Sequence, residues 1–440
     1  MTRLRPLSAL LALSFLIAGG SATGANLGAV YQLARDNDAK LAAAREAQKA
    51  GQEKIPQGRA GLLPAINLSA NARRTDPESS AAGANNNAYN SRGFSLSLVQ
   101  PIYRKQNLET YEQAKLQATL SDQELRLAEQ DLILRTASAY FDVLQAQDAL
   151  ATAQAQKQAF TEQLAQARKS FEVGAATITD THEAQARFDL TVAQEIAAQN
   201  DLEVKRRSLE KIINQEAPKL AQLFDVAKMP LPEPANMDAW VKQAEEGSLS
   251  VVLNQTGLEV ARREVERQRG GHWPTLDLSA SYSDNRNATV GASTGVNTKS
   301  AVLGVELGWV LYQGGAIDAR VREAVANQEK ARFDLEDARR QARLDARQGF
   351  LGVLSGDAQV RALEQALVSS EAQLKSTKLG LEVGVRTRVD VLNAQQQVFT
   401  TRRDLSAARY KTLLAGLQLK GAAGTLSEAD IKALDALLKE

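Results

Sequence analysis

Two kinds of hydrophobic spacing alternate along this chain. Ile66, Leu68 and Ala70 are interleaved with Asn67, Ser69 and Asn71, and Phe94, Leu96 and Leu98 with Ser95 and Ser97. The same texture returns where Leu276, Leu278, Ala280 and Tyr282 are interleaved with Asp277, Ser279, Ser281 and Ser283. It returns again where Leu303, Val305, Leu307, Trp309 and Leu311 alternate with Gly304, Glu306 and Gly308. A period of two is the mark of a strand with one apolar and one wet face. It predicts strands over about 62–75, 92–103, 273–286 and 300–312, with a Gly/Ser/Asn-rich loop over 79–93 and a second loop holding NATVGASTGVN.

Elsewhere the period is that of a helix. Val360, Leu367, Leu374 and Leu381 recur every seven residues, and Phe160, Leu164, Ala167 and Phe171 step by four, three and four. Both are seams of left-handed coiled coils. No proline lies between Pro101 and Pro218 or after Pro274, so 105–171 and 316–381 are predicted to run as single helices of about 100 Å at 1.5 Å per residue. Each stops at Val-Gly (Val173-Gly174 and Val383-Gly384), where glycine suits the left-handed closing residue. Thr177 and Thr387 then suit the N-cap of a returning helix. The region 27–54 reads as one further helix, and Pro218, Pro230, Pro232 and Pro234 mark 216–236 as a non-helical, solvent-facing connection.

The chain is internally duplicated. GLLPAINLSAN (61–71) answers GHWPTLDLSAS (271–281), and FEVGAATITD (171–180) answers LEVGVRTRVD (381–390), each at an offset of 210. The expected layout is a leader over 1–24, a first repeat over 25–215 with a hairpin tip near 174, and a linker and equatorial segment over 216–240. A second repeat over 241–424 has its tip near 384, and an equatorial segment over 425–440 ends the chain.

Composition narrows the reading. A formal net charge of +1 gives no electrostatic case for nucleic acid. With no cysteine, thiol chemistry, disulfides and a lipidated N-terminal cysteine are excluded. Arg3 and Arg5, an apolar stretch from Leu7 to Ala18, and a candidate cleavage site at Ala22-Thr23-Gly24 form a secretory leader too short to span a bilayer. Strands of about ten residues with Tyr103, Trp309 and Tyr312 near their ends match outer-membrane barrel strands with an aromatic girdle. Four such strands cannot close, and open edges are not tolerated in lipid. Three copies pooling twelve strands into one barrel is the economical solution. The expected object is an α+β membrane protein: a trimeric twelve-stranded barrel continued by a long helical coiled-coil tube.

Catalytic motifs do not survive inspection. His182 and His272 have no second ligand at metal spacing and read as surface residues. Gly291-Ala292-Ser293-Thr294-Gly295 matches a nucleophile-elbow pattern but sits in a strand-to-strand loop with no helix after it. No cofactor is expected.

At VGAATITDTHEAQARFD (173–189), VGVRTRVDVLNAQQQ (383–397) and ARYKTLLAGLQLKGAAGTLSEADIKAL (408–434) the chain resembles the TolC family of trimeric outer-membrane channels. The resemblance covers nearly the whole mature chain. It implies a homotrimer in the Gram-negative outer membrane with a periplasmic tunnel closed at its helical tips. Such a duct serves a tripartite efflux pump or type I secretion system and opens when a periplasmic adaptor and an inner-membrane pump of ABC or RND type dock. Gly174, Thr177, Gly384 and Thr387 are then the adaptor-contacting tips. Asp390 and Asn393, one helical turn apart on one face, would line the pore constriction. The family has two acidic rings there; Asn393 departs, leaving one carboxylate per protomer and weakening the case for strong cation binding. Arg386 matches the position that locks the closed tip to a neighbouring hairpin, with Thr179 and Asp180 as partners. The family's aromatic partner for Asp180 is replaced by Leu381. Asp180 and Asp390 also fit the N-terminal capping pattern Thr-x-x-Asp, a role compatible with the first. Glu306, on the polar face of its strand, is expected to charge the barrel lumen. A rival reading, a periplasmic coiled-coil adaptor or scaffold that forms no pore, leaves four amphipathic strands unexplained.

The lock makes a prediction. Arg386→Ser should raise the resting conductance of single channels in a planar bilayer; equal conductance of variant and wild type would rule the lock out.

Overall fold

The computed structural model describes residues 24–76, 78, 88–224, 229–290 and 293–439. The expected leader, apart from Gly24, and Gly291-Ala292 of the serine-containing loop lie outside the described residues.

Each repeat is a set of short helices, a β-hairpin and a long helical hairpin. In the first, α1 (Leu27–Asn37), α2 (Ala39–Gln52) and α3 (Lys54–Ala60) lead into β1 (Ala65–Thr75) and β2 (Tyr89–Tyr103), followed by α4 (Lys105–Glu172) and α5 (Ile178–Ile213). A short strand β3 (Gln222–Leu223) separates the repeats. In the second, α6 (Met237–Gly247) and α7 (Leu249–Arg269) precede β4 (Thr275–Val290) and β5 (Ser293–Gly308), then α8 (Ala316–Glu382) and α9 (Arg388–Ala422). Helix α10 (Glu428–Asp435) and strand β6 (Leu438–Lys439) end the described chain.

The four long strands form one antiparallel sheet in the order β1-β2-β4-β5. The pairing of β2 with β4 joins the repeats in mid-sheet, with Leu96 opposite Tyr282 and Leu98 opposite Ala280. Among the described residues β1 and β5 each keep one edge without a partner strand. Alternation places Ile66, Leu68, Phe94, Leu96, Tyr282, Leu303, Val305 and Leu307 on one face, and all are exposed. Leu303 (75 %) and Leu307 (70 %) are more open than an ordinary protein surface would leave a leucine. A contiguous apolar face of this kind marks an interaction surface. Among the described residues no helix is long and apolar enough to cross a membrane.

β4 and β5 are 16 residues each, longer than the alternation of apolar residues suggests. The hairpin continues through polar residues up to Val290 and from Ser293, past a register irregularity at Asn285/Ala288. Asn287 there adopts a left-handed φ of 53°. At its other end β5 stops at Gly308, not 312. β4 begins at Thr275, opposite Gly308, so Trp309 to Tyr312 have no strand beside them.

α4 and α8 run 68 and 67 residues without interruption. Of the expected α4 seam Phe160, Leu164 and Ala167 are buried and Phe171 is exposed; of the expected α8 seam Val360 is buried and Leu367, Leu374 and Leu381 are half-buried. Gly349 lets α8 approach α9 closely, since a Cβ there would lie 3.0 Å from the Cα of Leu419.

Midway along the helices lies the main core, where α1, α4, α5, α9, α10 and the inter-repeat segment meet around Tyr140, Leu144, Leu209, Ile213, Leu413 and Ile431. Two sequence expectations are corrected here. The helix expected over 27–54 is two, α1 and α2, with α3 starting at Lys54. Asp38 caps α2 by accepting from the Leu41 N–H at 2.8 Å, and its carboxylate takes two bonds from Arg135 at 2.9 and 3.1 Å. Burial opposes its ionisation, but the Arg135 and Leu41 bonds outweigh it and hold the carboxyl below its ordinary range. The linker is non-helical and largely solvent-facing, as at Glu216, Lys219, Pro230 and Glu233, but not throughout: Leu220, Ala221 and Leu223 are buried, β3 pairs with β6, and Ala221 donates to the Ala25 carbonyl at 3.0 Å. Tyr140, fully buried, donates its hydroxyl proton between the carbonyls of Ala221 (2.8 Å) and Ala25 (3.1 Å), tying α4 to both strands of chain.

Tyr140→Phe should therefore lower the stability of the purified protein by about 1–2 kcal/mol, because a buried carbonyl loses its donor. The check is the denaturant midpoint; an unchanged midpoint would show that the bond contributes nothing.

Candidate functional site: the paired helical tips and the sheet faces

The far ends of the two long hairpins are built alike. At the first, the Ala175 N–H donates to the Ser170 carbonyl at 2.8 Å and the Gly174 N–H to Phe171 at 2.9 Å, with Gly174 at φ +73°. At the second, Val385 donates to Gly380 at 2.8 Å and Gly384 to Leu381 at 3.1 Å, with Gly384 at φ +79°. This six-to-one and five-to-two pair is the Schellman closure, and it requires a left-handed residue that glycine supplies without strain. The next helix starts at once. Thr177 and Asp180 form a reciprocal capping box, with Thr177 N–H to Asp180 Oδ2 at 2.9 Å and Asp180 N–H to Thr177 Oγ1 at 3.2 Å. Thr387 and Asp390 repeat it at the same distances. Asp180 and Asp390 thus both cap.

The Thr387 backbone N–H, then its hydroxyl, hold the Asp390 carboxyl below its ordinary value, and Arg386 adds to the effect. A lowered carboxylate pKa contributes stability above the unfolded value and loses it as pH falls through the folded one. The cap therefore opens only below the ordinary carboxylate range.

The gate candidates divide. Asp390 and Asn393 lie on the first turns of α9, and Asn393 is exposed. Asn393 Oδ1 accepts from Arg187 Nη2 on α5 at 2.9 Å, so within one protomer it is held by the first hairpin. Arg388 Nη2 donates to Ser170 Oγ on α4 at 2.7 Å, a second link between hairpins. Arg386 is exposed, and its side chain makes no ion pair among the described residues. Thr179 is exposed and Asp180 half-buried. Asp180, Leu381 and Arg388 line one cleft of about 320 Å³ between the four helices. Arg187, Arg388 and Ser170 carry no local sequence signal; only the packing of α5 and α9 against α4 brings them together.

On the polar sheet face, Glu306 stands opposite Asp277 across β4 and β5. Like charges directly opposed are destabilising, and Arg104 relieves them by gripping Asp277 bidentately, Nε to Oδ1 at 2.8 Å and Nη2 to Oδ2 at 2.6 Å. Farther along, Ser69, Ser95, Ser283 and Ser300 occupy one row across all four strands, with Oγ contacts of 2.8 Å between Ser69 and Ser95 and 2.9 Å between Ser283 and Ser300. His272 Nε2 lies 3.2 Å from Asp318, and His182 is exposed. Among the described residues no three His, Cys, Asp or Glu side chains are grouped to hold a metal ion.

These features have counterparts. The family model described as "Outer membrane efflux protein" matches residues 30–215 and 240–425, one stretch for each repeat. Outer membrane protein TolC of Vibrio cholerae is 34 % identical over 94 % of this chain and 94 % of its own length. Proteases secretion protein PrtF of Dickeya chrysanthemi is 31 % identical over 98 % of this chain and 95 % of its own. The crystal structure of the Campylobacter jejuni CmeC outer membrane channel superposes with a TM-score of 0.81 at 17 % identity, covering 99 % of this chain and 97 % of that one.

Arg388→Ala or Ser170→Ala should loosen the second tip by about 1 kcal/mol, giving roughly five-fold faster amide exchange over 381–393 while the sheet is unaffected. Unchanged exchange at the tip would show that the link bears no load.

Proposed function

The chain belongs to the outer membrane efflux protein family, and from that premise we propose how its parts divide the work of an outer-membrane exit duct. It is a passive channel, not an enzyme, lodged in the outer membrane of a Gram-negative bacterium with a periplasmic extension. The observation that carries this reading is the unclosed four-stranded sheet with one apolar face exposed. In lipid every backbone N–H and C=O must be paired, so the free edge of β5 must find the free edge of β1 in a neighbouring copy. Three copies make a barrel of twelve strands, wide enough to leave a lumen.

The family implies a homotrimer working with adaptor and pump partners. In that assembly the polar face lines the lumen. Its serine row becomes a neutral, hydroxyl-rich belt, and Glu306 with Asp277 and Arg104 becomes a charged collar on the helical side of it. The hairpins form the tunnel, and Asp390 and Asn393 line its constriction. Asp390 supplies one carboxylate per protomer, already engaged by its own capping box. Arg386, whose side chain makes no ion pair among the described residues, reaches Thr179 and Asp180 of the neighbouring hairpin and holds the tip closed. Gly174, Thr177, Gly384 and Thr387 present the tips to a periplasmic adaptor, which couples the duct to an inner-membrane pump of the ABC or RND type. With no energy source in the chain, direction is set by that pump. Efflux and type I secretion both fit a duct of this kind.

The test is the planar-bilayer conductance of the purified trimer with and without divalent cations. A single capped carboxylate per protomer predicts a small blockade; a strong blockade at micromolar metal would overturn the assignment of Asn393 to the constriction.

A further inference from the structure

The apolar sheet face changes character at the end farthest from the helices. Along β4 it runs Leu276, Leu278, Ala280, Tyr282, about 20 Å at 3.3 Å per residue. The next row reads Ala70, Phe94, Asp284, Lys299 across the four strands. The row beyond reads Ala72, Arg92, Arg286, and Arg74 follows, opposite Asn90. Arg74, Arg92, Arg286 and Lys299 are all exposed. Four cations therefore cap the apolar surface within three successive rows, and they point the same way as its leucines.

Their internal compensation is poor. Arg92 and Arg286 are direct cross-strand partners, an arrangement of like charges that costs stability in a sheet. Asp284 is the one carboxylate in these rows, and it lies 3.7 Å from both Arg286 Nε and Lys299 Nζ. Arg74 and Arg92 have no ion pair or side-chain hydrogen bond among the described residues. Asp76 and Glu78 follow β1 beyond its last paired residue and pair with none of the four cations. Two arginines on directly opposed positions, one of them without an ion pair among the described residues and the other at 3.7 Å from its carboxylate, are suited to a tetrahedral oxyanion.

Position selects the anion. If the apolar rows meet acyl chains, the next rows meet headgroups, and the end away from the periplasmic helices meets those of the outer leaflet. In a Gram-negative outer membrane that leaflet is built on lipid A, a glycolipid carrying phosphates above several acyl chains. We propose that Arg74, Arg92, Arg286 and Lys299 dock a phosphate of lipid A, whose acyl chains lie along the leucine rows beneath. The site rests on the barrel reading given above. It gives the rim a headgroup-specific contact and relieves the Arg92–Arg286 repulsion.

The experiment titrates bis-phosphorylated lipid A, and separately its dephosphorylated form, onto the purified full-length trimer in neutral detergent, with bound lipid counted by native mass spectrometry. Wild type should prefer the phosphorylated lipid, and the preference should weaken with added salt. Arg92→Gln/Arg286→Gln should bind lipid A about twenty-five-fold more weakly, at about five-fold per cation removed, and Arg92→Lys/Arg286→Lys should restore most of it. Equal binding of the two lipids by wild type, or an unchanged glutamine variant, would overturn the site. Displacement of lipid A by inorganic phosphate at comparable concentration would overturn the lipid assignment in favour of a free-anion site. Conductance of the wild type in bilayers free of lipopolysaccharide reads the barrel separately: a wild type that never conducts overturns the barrel and the lipid site together.

Discussion

The unpaired borders of the sheet govern everything else in this molecule. A strand in water can satisfy its free N–H and C=O groups with solvent, but a strand in hydrocarbon cannot. The face of this sheet that carries Leu68, Leu303 and Leu307 is too apolar for water, and its borders at β1 and β5 are too polar for lipid. Only self-association reconciles the two. The proposed barrel is thus a consequence of hydrogen-bond accounting within a single protomer, before any partner is considered.

Duplication supplies the geometry. Each repeat delivers one hairpin to the sheet and one long hairpin to the tunnel, and the β2–β4 pairing fuses the two halves into a single sheet. The helices are then braced at their midpoint by the core around Tyr140, where the chain's beginning, middle and end converge. Above and below that brace the long helices rely on narrow seams with few large side chains. Adaptable tips at the end of a firmly held shaft suit a duct that must open at one end without losing its wall.

Much of this was legible in the sequence, for local reasons. The strand faces follow from a period of two, the shafts from heptads and the lack of proline, and the tips from Val-Gly followed by Thr-x-x-Asp, which needs no more than a few neighbouring residues to form. What escaped was non-local. The serine row depends on the pairing of β2 with β4, where Ser95 and Ser283 are 188 residues apart in sequence, and the Asp277–Glu306 opposition on the register of the β4–β5 hairpin. The Arg388–Ser170 and Arg187–Asn393 links span more than 200 positions. The linker looked wet because its prolines exclude a helix, and much of it is, yet its short strand pairs with the chain's last described strand and buries Leu223. The first helical region was split by Asp38, whose ionic partner Arg135 lies 97 residues away.

The two free borders have a genetic corollary. In a closed ring of identical copies every seam joins β5 of one chain to β1 of the next, so a chain with one ruined border still enters a ring through its sound one and leaves that ring unsealed. A damaged allele of this kind would be dominant over an intact one in a merodiploid cell, whereas truncations that remove both borders would be recessive.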